Sequence, residues 1–195
     1  MAAWNERLES SFHLVVKAHR RITHRSRLAG IAGPLVAFLR SIEPLRALRV
    51  VLWQLPPSLQ KNLDRLGEFL DELDATEREV LGARRPRLRH AVEFRHESWW
   101  YDDVAALLAK HRASFVAVSH PKLPETVLST ADLLYLRFHG KGRRLYDYSR
   151  RELKQWVESP RPHLERRRLY AFFNNDRHTN APKNALAFRE LLARS

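Results

Sequence analysis

The sequence predicts an α/β fold built on parallel strands, and three observations carry that expectation. Six short apolar runs each stop on a polar or charged side chain, at Phe12–Lys17, Val50–Gln54, Ala91–Arg95, Ser114–Ser119, Leu133–His139 and Leu169–Asn174. Near-continuous apolar runs of this kind mark strands covered on both faces, as in a parallel sheet flanked by helices. Amphipathic segments with helix punctuation lie between them, at roughly 20 to 40 residues per strand–helix unit, the spacing of right-handed parallel crossovers.

The elements can be justified in order. Gly33-Pro34 opens a helix towards Ile42 that stops near Pro44, because proline suits a first turn and breaks an interior one. Over residues 62 to 73, Leu63, Leu66, Leu70 and Leu73 share one helical stripe. Val104, Leu107 and Leu108 repeat the pattern after Trp99-Trp100. His120 to Ala131, with Pro121 and Pro124, reads as a loop with at most one helical turn. Ser149-Arg150-Arg151-Glu152 has capping-box spacing, and Asn180 with Pro182 begins a last helix through Leu192. An open doubly wound sheet and a (β/α) barrel both fit this succession. No Gly-x-Gly-x-x-Gly or Gly-x-x-x-x-Gly-Lys-Ser/Thr follows any run, which counts against nucleotide-binding sheets. A closed barrel needs eight units in about 250 residues. Six units in 195 residues leave it two short, and no strand precedes residue 12.

At 44% hydrophobic content the chain can form one domain with a real core. It has no uninterrupted apolar stretch of about 18 residues. Met1–Glu6 lacks the regions of a secretory signal, so a cytoplasmic protein with no membrane partner is expected. The absence of cysteine excludes disulfides, thiol catalysis and thiolate metal sites. The net charge of +13 points to an anionic small molecule or nucleic acid as partner. Arginine supplies 28 of the 35 basic residues, a skew that also arises without any ligand, so position has to decide. Arg84, Arg85, Arg87, Arg89 and Arg161, Arg166, Arg167, Arg168 precede strands. Arg20, Arg21, Arg25, Arg27 and Arg137, Lys141, Arg143, Arg144 follow strands, where ligand sites of parallel α/β folds collect.

Strand alternation places Glu93 and Arg95 opposite Val92 and Phe94, and Tyr135, Arg137 and His139 opposite Leu134, Leu136 and Phe138. In a barrel the helix-facing side is apolar, so the polar sets face the lumen. An isolated buried ion is strongly disfavoured, so Glu93 must meet Arg95, Arg137, Lys17 or a ligand. A purely structural ion-pair network is the competing reading. Lys17, Arg95 and Arg137 suit phosphate or carboxylate, the arginines bidentately. Glu93, His139 and His24 are the catalytic candidates for acid–base work near neutral pH. Gln54, ahead of Leu55-Pro56-Pro57, and Asn174 with Asn175 are the candidates for orienting substrate, although asparagine after a strand also shapes turns. Trp99 reads as core. A metal held by Glu93, His139 and His24 is poorly supported, because hard-metal sites gather several carboxylates. No metal is expected, and the sequence names no cofactor. Ser98 and Ser119 lack a nucleophile elbow.

Lys17 with Ile22-Thr23-His24, Trp53-Gln54-Leu55-Pro56-Pro57, Val92-Glu93-Phe94-Arg95-His96 with Ser98-Trp99, Leu136-Arg137-Phe138-His139-Gly140, Tyr146, and Phe173-Asn174-Asn175 with Ala181 and Asn184-Ala185 together resemble the YecE-like family of unknown function. The resemblance covers nearly the whole chain. It implies a TIM-type (β/α) barrel with Lys17, Gln54, Glu93, Arg95, Arg137, His139, Asn174 and Asn175 at family motif positions around the mouth, and it supplies no reaction. Family chains open with two further strands, so the resemblance implies a barrel lacking its first two units, whose exposed sheet edges invite oligomerisation. Their sixth strand tends to end on aspartate, where this chain reads Val118-Ser119-His120. The function expected is an enzyme of hydrolase or isomerase type acting on a phosphate-bearing or sugar-like anion. The alternatives are a noncatalytic nucleic-acid binder and an inactive fragment.

Overall fold

A computed structural model describes residues 7–9, 11–82, 88–142, 146–166, 168–175 and 179–194, with Glu165 and Arg166 described by their backbone alone. Arg84, Arg85, Arg87, Arg143, Arg144 and Arg167 lie outside the described residues. The chain divides into two units, Met1–Ala113 and Ser114–Ser195.

In the first unit, β1 (Leu14–Lys17), β2 (Leu48–Gln54) and β3 (Arg89–Glu93) pair in parallel and in chain order. They alternate with α1 (Ala32–Ile42), α2 (Leu63–Leu81) and α3 (Asp102–Lys110). Lys17 pairs with Leu52, Leu52 with Ala91, and Gln54 with Glu93. Cross-strand partners and residues two apart share a face, so Lys17, Gln54 and Glu93 lie on one side of the sheet and Trp53, His90 and Val92 on the other. Trp53 meets Phe38 of α1 edge-on at 5.6 Å and Phe69 of α2 at 5.1 Å, which identifies its side as the helix-facing core. Its indole Nε1 donates to His90 Nδ1 at 3.2 Å, and His90 Nε2 meets Glu77 Oε2 of α2 at 2.9 Å.

Asn62 caps α2 by accepting from the Arg65 amide. The helix continues past Leu73 to Leu81, because Glu77 takes an inward position that an apolar residue would otherwise fill. A π-helical turn, Arg21–Arg25, separates β1 from α1 and buries Ile22 and Thr23. β1 begins at Leu14 and not at Phe12, which is 45% exposed, and Phe94 and Arg95 lie just beyond the end of β3.

In the second unit, β4 (Ser114–Ser119), β5 (Leu133–Phe138) and β6 (Arg168–Phe173) are likewise parallel and sequentially paired, with α4 (Arg150–Glu158) and α5 (Asn180–Ala193). Leu136 and Phe138 pack into a core with Leu153, Trp156 and Val157 of α4 and Phe188 of α5. Phe138 stacks on Phe173 at 4.2 Å. The opposite face carries Val118, Arg137 and Phe172 in register, with Tyr135 stacked on Phe172 at 5.1 Å. The β4–β5 connection holds no helix and is tied down where Thr130 Oγ1 accepts from the Phe115 amide at 2.8 Å. The capping box at Ser149 and Glu152 is present.

Sequential pairing of parallel strands, with helical crossovers except between β4 and β5, follows the (β/α) barrel pattern, whereas a doubly wound sheet reverses its strand order. The chain is therefore a TIM-type α/β fold, with six strands among the described residues. No helix among these residues is long and apolar enough to cross a membrane.

Candidate functional site

Lys17, Gln54 and Glu93 are the last residues of β1, β2 and β3, so one face of the first sheet gathers an amine, an amide and a carboxylate at its carboxyl end. Bonds just past the strand ends fix these positions: the Ala18 amide donates to Leu52 O and the Leu55 amide to Glu93 O, both at 2.9 Å. Lys17 Nζ donates to Gln54 Oε1 at 3.0 Å. Glu93 is 0% exposed, and Arg95 Nε lies 2.5 Å from its Oε1. This is a buried charge meeting the partner that its burial demands.

His24 sits on the π-helical turn after β1, its Nδ1 sharing a 2.8 Å hydrogen bond with the hydroxyl of buried Thr23. Burial, then the charges of Lys17 and Arg20, hold its pKa below the usual imidazole value. Trp99 belongs to the core, stacked on Phe94 at 4.5 Å and donating from Nε1 to Leu59 O at 2.8 Å. Ser98 Oγ accepts from the Lys61 amide at 2.8 Å and bonds His96 Nδ1, which makes it part of the turn after β3.

In the second unit Arg137 Nη2 donates to Asn174 Oδ1 at 2.7 Å, across the ends of β5 and β6. The His139 amide donates to Ser119 O at 3.0 Å, and its ring lies 6.3 Å from that of His120. Asn175, adjacent to Asn174, turns inward: its Nδ2 donates to Tyr146 O at 2.9 Å and to Asn184 Oδ1 at 2.7 Å. Asn184 in turn donates to Asp147 Oδ1 and Tyr148 O and accepts from the Tyr148 amide. In this arrangement Asn175 braces the loop ahead of α4.

A polar network joins Lys141, Tyr146 and the Ser149–Glu152 cap, which the sequence reading named separately, to Ser119 and Glu125. Ser119 Oγ donates to Glu125 at 2.9 Å, and Lys141 Nζ reaches Glu125 at 3.2 Å and Glu152 at 3.7 Å. Tyr146 donates its hydroxyl to Glu152, which also accepts from the Ser149 amide and hydroxyl. Burial pushes the Glu152 carboxyl up, but bonds from Tyr146 and Ser149 and the charge of Lys141 bring it below its usual value. Tyr148, whose hydroxyl accepts from the Gly140 amide at 2.9 Å, is pushed up to about 12 chiefly by burial. Glu125 carried no signal in the sequence, because it sits in a proline-bearing loop without periodicity. Among the described residues no group of three or more His, Cys, Asp or Glu could hold a metal ion.

Sequentially paired parallel strands define the class, a (β/α) barrel fold, and the candidate ionisable groups lie at the strand ends, where such barrels carry active sites. The family described as "Protein of unknown function DUF72" matches residues 1–195, and the chain belongs to it; YecE-like is another name for the same family. A crystal structure of a DUF72 family protein from Thermotoga maritima is similar at 30% identity and a TM-score of 0.84, covering 98% of this chain and 78% of that one. Two crystal structures of a DUF72 family protein from Enterococcus faecalis share the fold at 22% identity. Their TM-scores are 0.82 and 0.81, and they cover 100% of this chain and 79% and 83% of those chains. No curated protein matches.

Proposed function

We propose that the chain is an enzyme of hydrolase or isomerase type that acts on a phosphate-bearing or sugar-like anionic substrate at the carboxyl end of its strands. The observation that carries this reading is Glu93, a fully buried carboxylate ending β3, paired with Arg95 and on the same face as the Lys17–Gln54 hydrogen bond. A buried ion pair is a poor way to gain stability compared with apolar packing, and unlike ionisable groups gathered at strand ends are characteristic of catalytic sites. Lys17 and Arg95 bind the anion, Gln54 orients Lys17 and the substrate, and Glu93 transfers the proton. In the second unit Arg137 offers anion contacts, Asn174 substrate orientation and His139 acid–base capacity, each open to the same test. Turnover is measured across a panel of sugar phosphates and sugar acids. The expected result is activity that falls about 10²–10⁴-fold in Glu93→Gln, the usual contribution of a positioned acid or base. Equal turnover in the variant removes Glu93 from the chemistry.

The charge of +13, with Arg20, Arg21 and Arg25 following β1, favours a second reading as a noncatalytic nucleic-acid binder. That reading requires affinity for single- or double-stranded nucleic acid that falls steeply with salt, as counterion release dictates. Salt-insensitive binding, or none, eliminates it.

A further inference from the structure

We propose, resting on the enzymatic reading and narrowing its substrate, that the corner where β1 passes into the π-helical turn is a subsite for a phosphate dianion, whose oxygens are taken by Lys17, Arg20 and the imidazole of His24. The turn Arg21–Arg25 is anchored from below, with Ile22 0% and Thr23 1% exposed, while Arg20, Arg21 and Arg25 remain at the surface. π-Helical turns are rare and concentrate at functional sites, because the extra residue redirects side chains that an α-helical turn would aim elsewhere. His24 is the fourth residue of this turn. The buried Thr23 hydroxyl engages its Nδ1 at 2.8 Å, which restrains the ring, and Nε2 is the nitrogen assigned to the ligand. Lys17 is steadied from the neighbouring strand by Gln54 at 3.0 Å.

The ring also reports its surroundings. Lys17 ends β1 and Arg20 precedes the turn that carries the ring, and, after burial, their charges hold the His24 pKa below the usual imidazole value. A bound dianion would offset that field and favour the protonated ring. Two cations and an N–H donor match the three terminal oxygens of a phosphate monoester, with charge-assisted hydrogen bonds to each. A carboxylate, or a phosphodiester with a single negative charge, would leave part of the set unused.

The test follows the imidazole resonances of the intact protein by NMR through a pH titration, with His24 assigned by the resonance missing from His24→Gln. Inorganic phosphate at tens of millimolar should raise the His24 midpoint by about one pH unit, as an opposing charge within contact distance does. Acetate and dimethyl phosphate should leave it in place. The phosphate effect should vanish in the Lys17→Gln/Arg20→Gln double variant, which alters two exposed side chains and spares the core. No movement with phosphate, equal movement in the double variant, or movement with dimethyl phosphate alone would each overturn the proposal, the last assigning the corner to a nucleic-acid backbone. The titration involves neither Glu93 nor turnover. Its failure leaves the enzymatic reading to the Glu93→Gln test, and failure of that test leaves the phosphate result intact.

Discussion

Glu77 and Glu93 are buried carboxylates on the same unit, and each is matched in its own way. Glu93 meets a guanidinium at a strand end, while Glu77 meets a histidine on the helix-facing side of the sheet. The need for a partner at Glu93 was legible from alternation alone, since an ion between Val92 and Phe94 cannot stay unpaired. Glu77 was not legible, because an acidic residue on an amphipathic helix ordinarily marks the solvent face, and only tertiary structure brings His90 to it. Because Trp53 donates to His90 Nδ1, the imidazole proton sits on Nε2 and is donated to Glu77. His90→Leu therefore removes the acceptor of the indole and one donor to the Glu77 carboxylate, whose Oε1 keeps the Leu88 amide at 3.0 Å. We expect a loss of about 1–3 kcal/mol in urea unfolding, the cost of leaving buried polar groups unsatisfied.

Among the elements, the start of α4 was readable from Ser149 and Glu152, because a capping box is a local device needing no tertiary information. The end of α2 and the π-helical turn were not, since the first depends on the Glu77–His90 pairing and the second has no propensity signature. The α4 cap also carries a pH dependence. The folded state holds the Glu152 carboxyl below its ordinary 4.5, so its contribution is complete above that value and lost as pH falls through the lower folded pKa. Glu152→Gln should lower the melting temperature near neutrality, and the gap from the parent should close as the pH drops below 4.5. A gap independent of pH would show that the carboxylate charge contributes nothing. Gly140 fixes the loop after β5 at φ +74°, and a Cβ there would lie 2.9 Å from Tyr146 Cβ. Gly140→Ala should cost at least the roughly 1–2 kcal/mol of a left-handed backbone, read as a lower urea midpoint. An unchanged midpoint would contradict the positive φ.

For the molecule as a whole, the fold class was legible because the runs from buried parallel strands carry their own signature, and all six match strands in the structure to within a few residues. The placement of the candidate residues was legible in part. Lys17, Gln54 and Glu93 do end neighbouring strands on one face, and Arg137 does meet Asn174. Asn175 faces inward, which no pattern could reveal, because consecutive asparagines after a strand read alike until the chain turns. The charge of +13 makes nonspecific attraction to any polyanion a constant background. Phosphate and nucleic-acid affinities should therefore be compared at matched ionic strength, where only a contact-specific site keeps its preference.

The central claim is that ligands bind at the carboxyl ends of the strands, and backbone amide shift mapping tests it most directly. Added inorganic phosphate or a sugar phosphate should perturb amides around Lys17, His24, Gln54 and Glu93 and leave the amino ends at Leu48 and Arg89 unmoved. Perturbation centred on those amino ends, or spread evenly over the basic surface, would contradict the account.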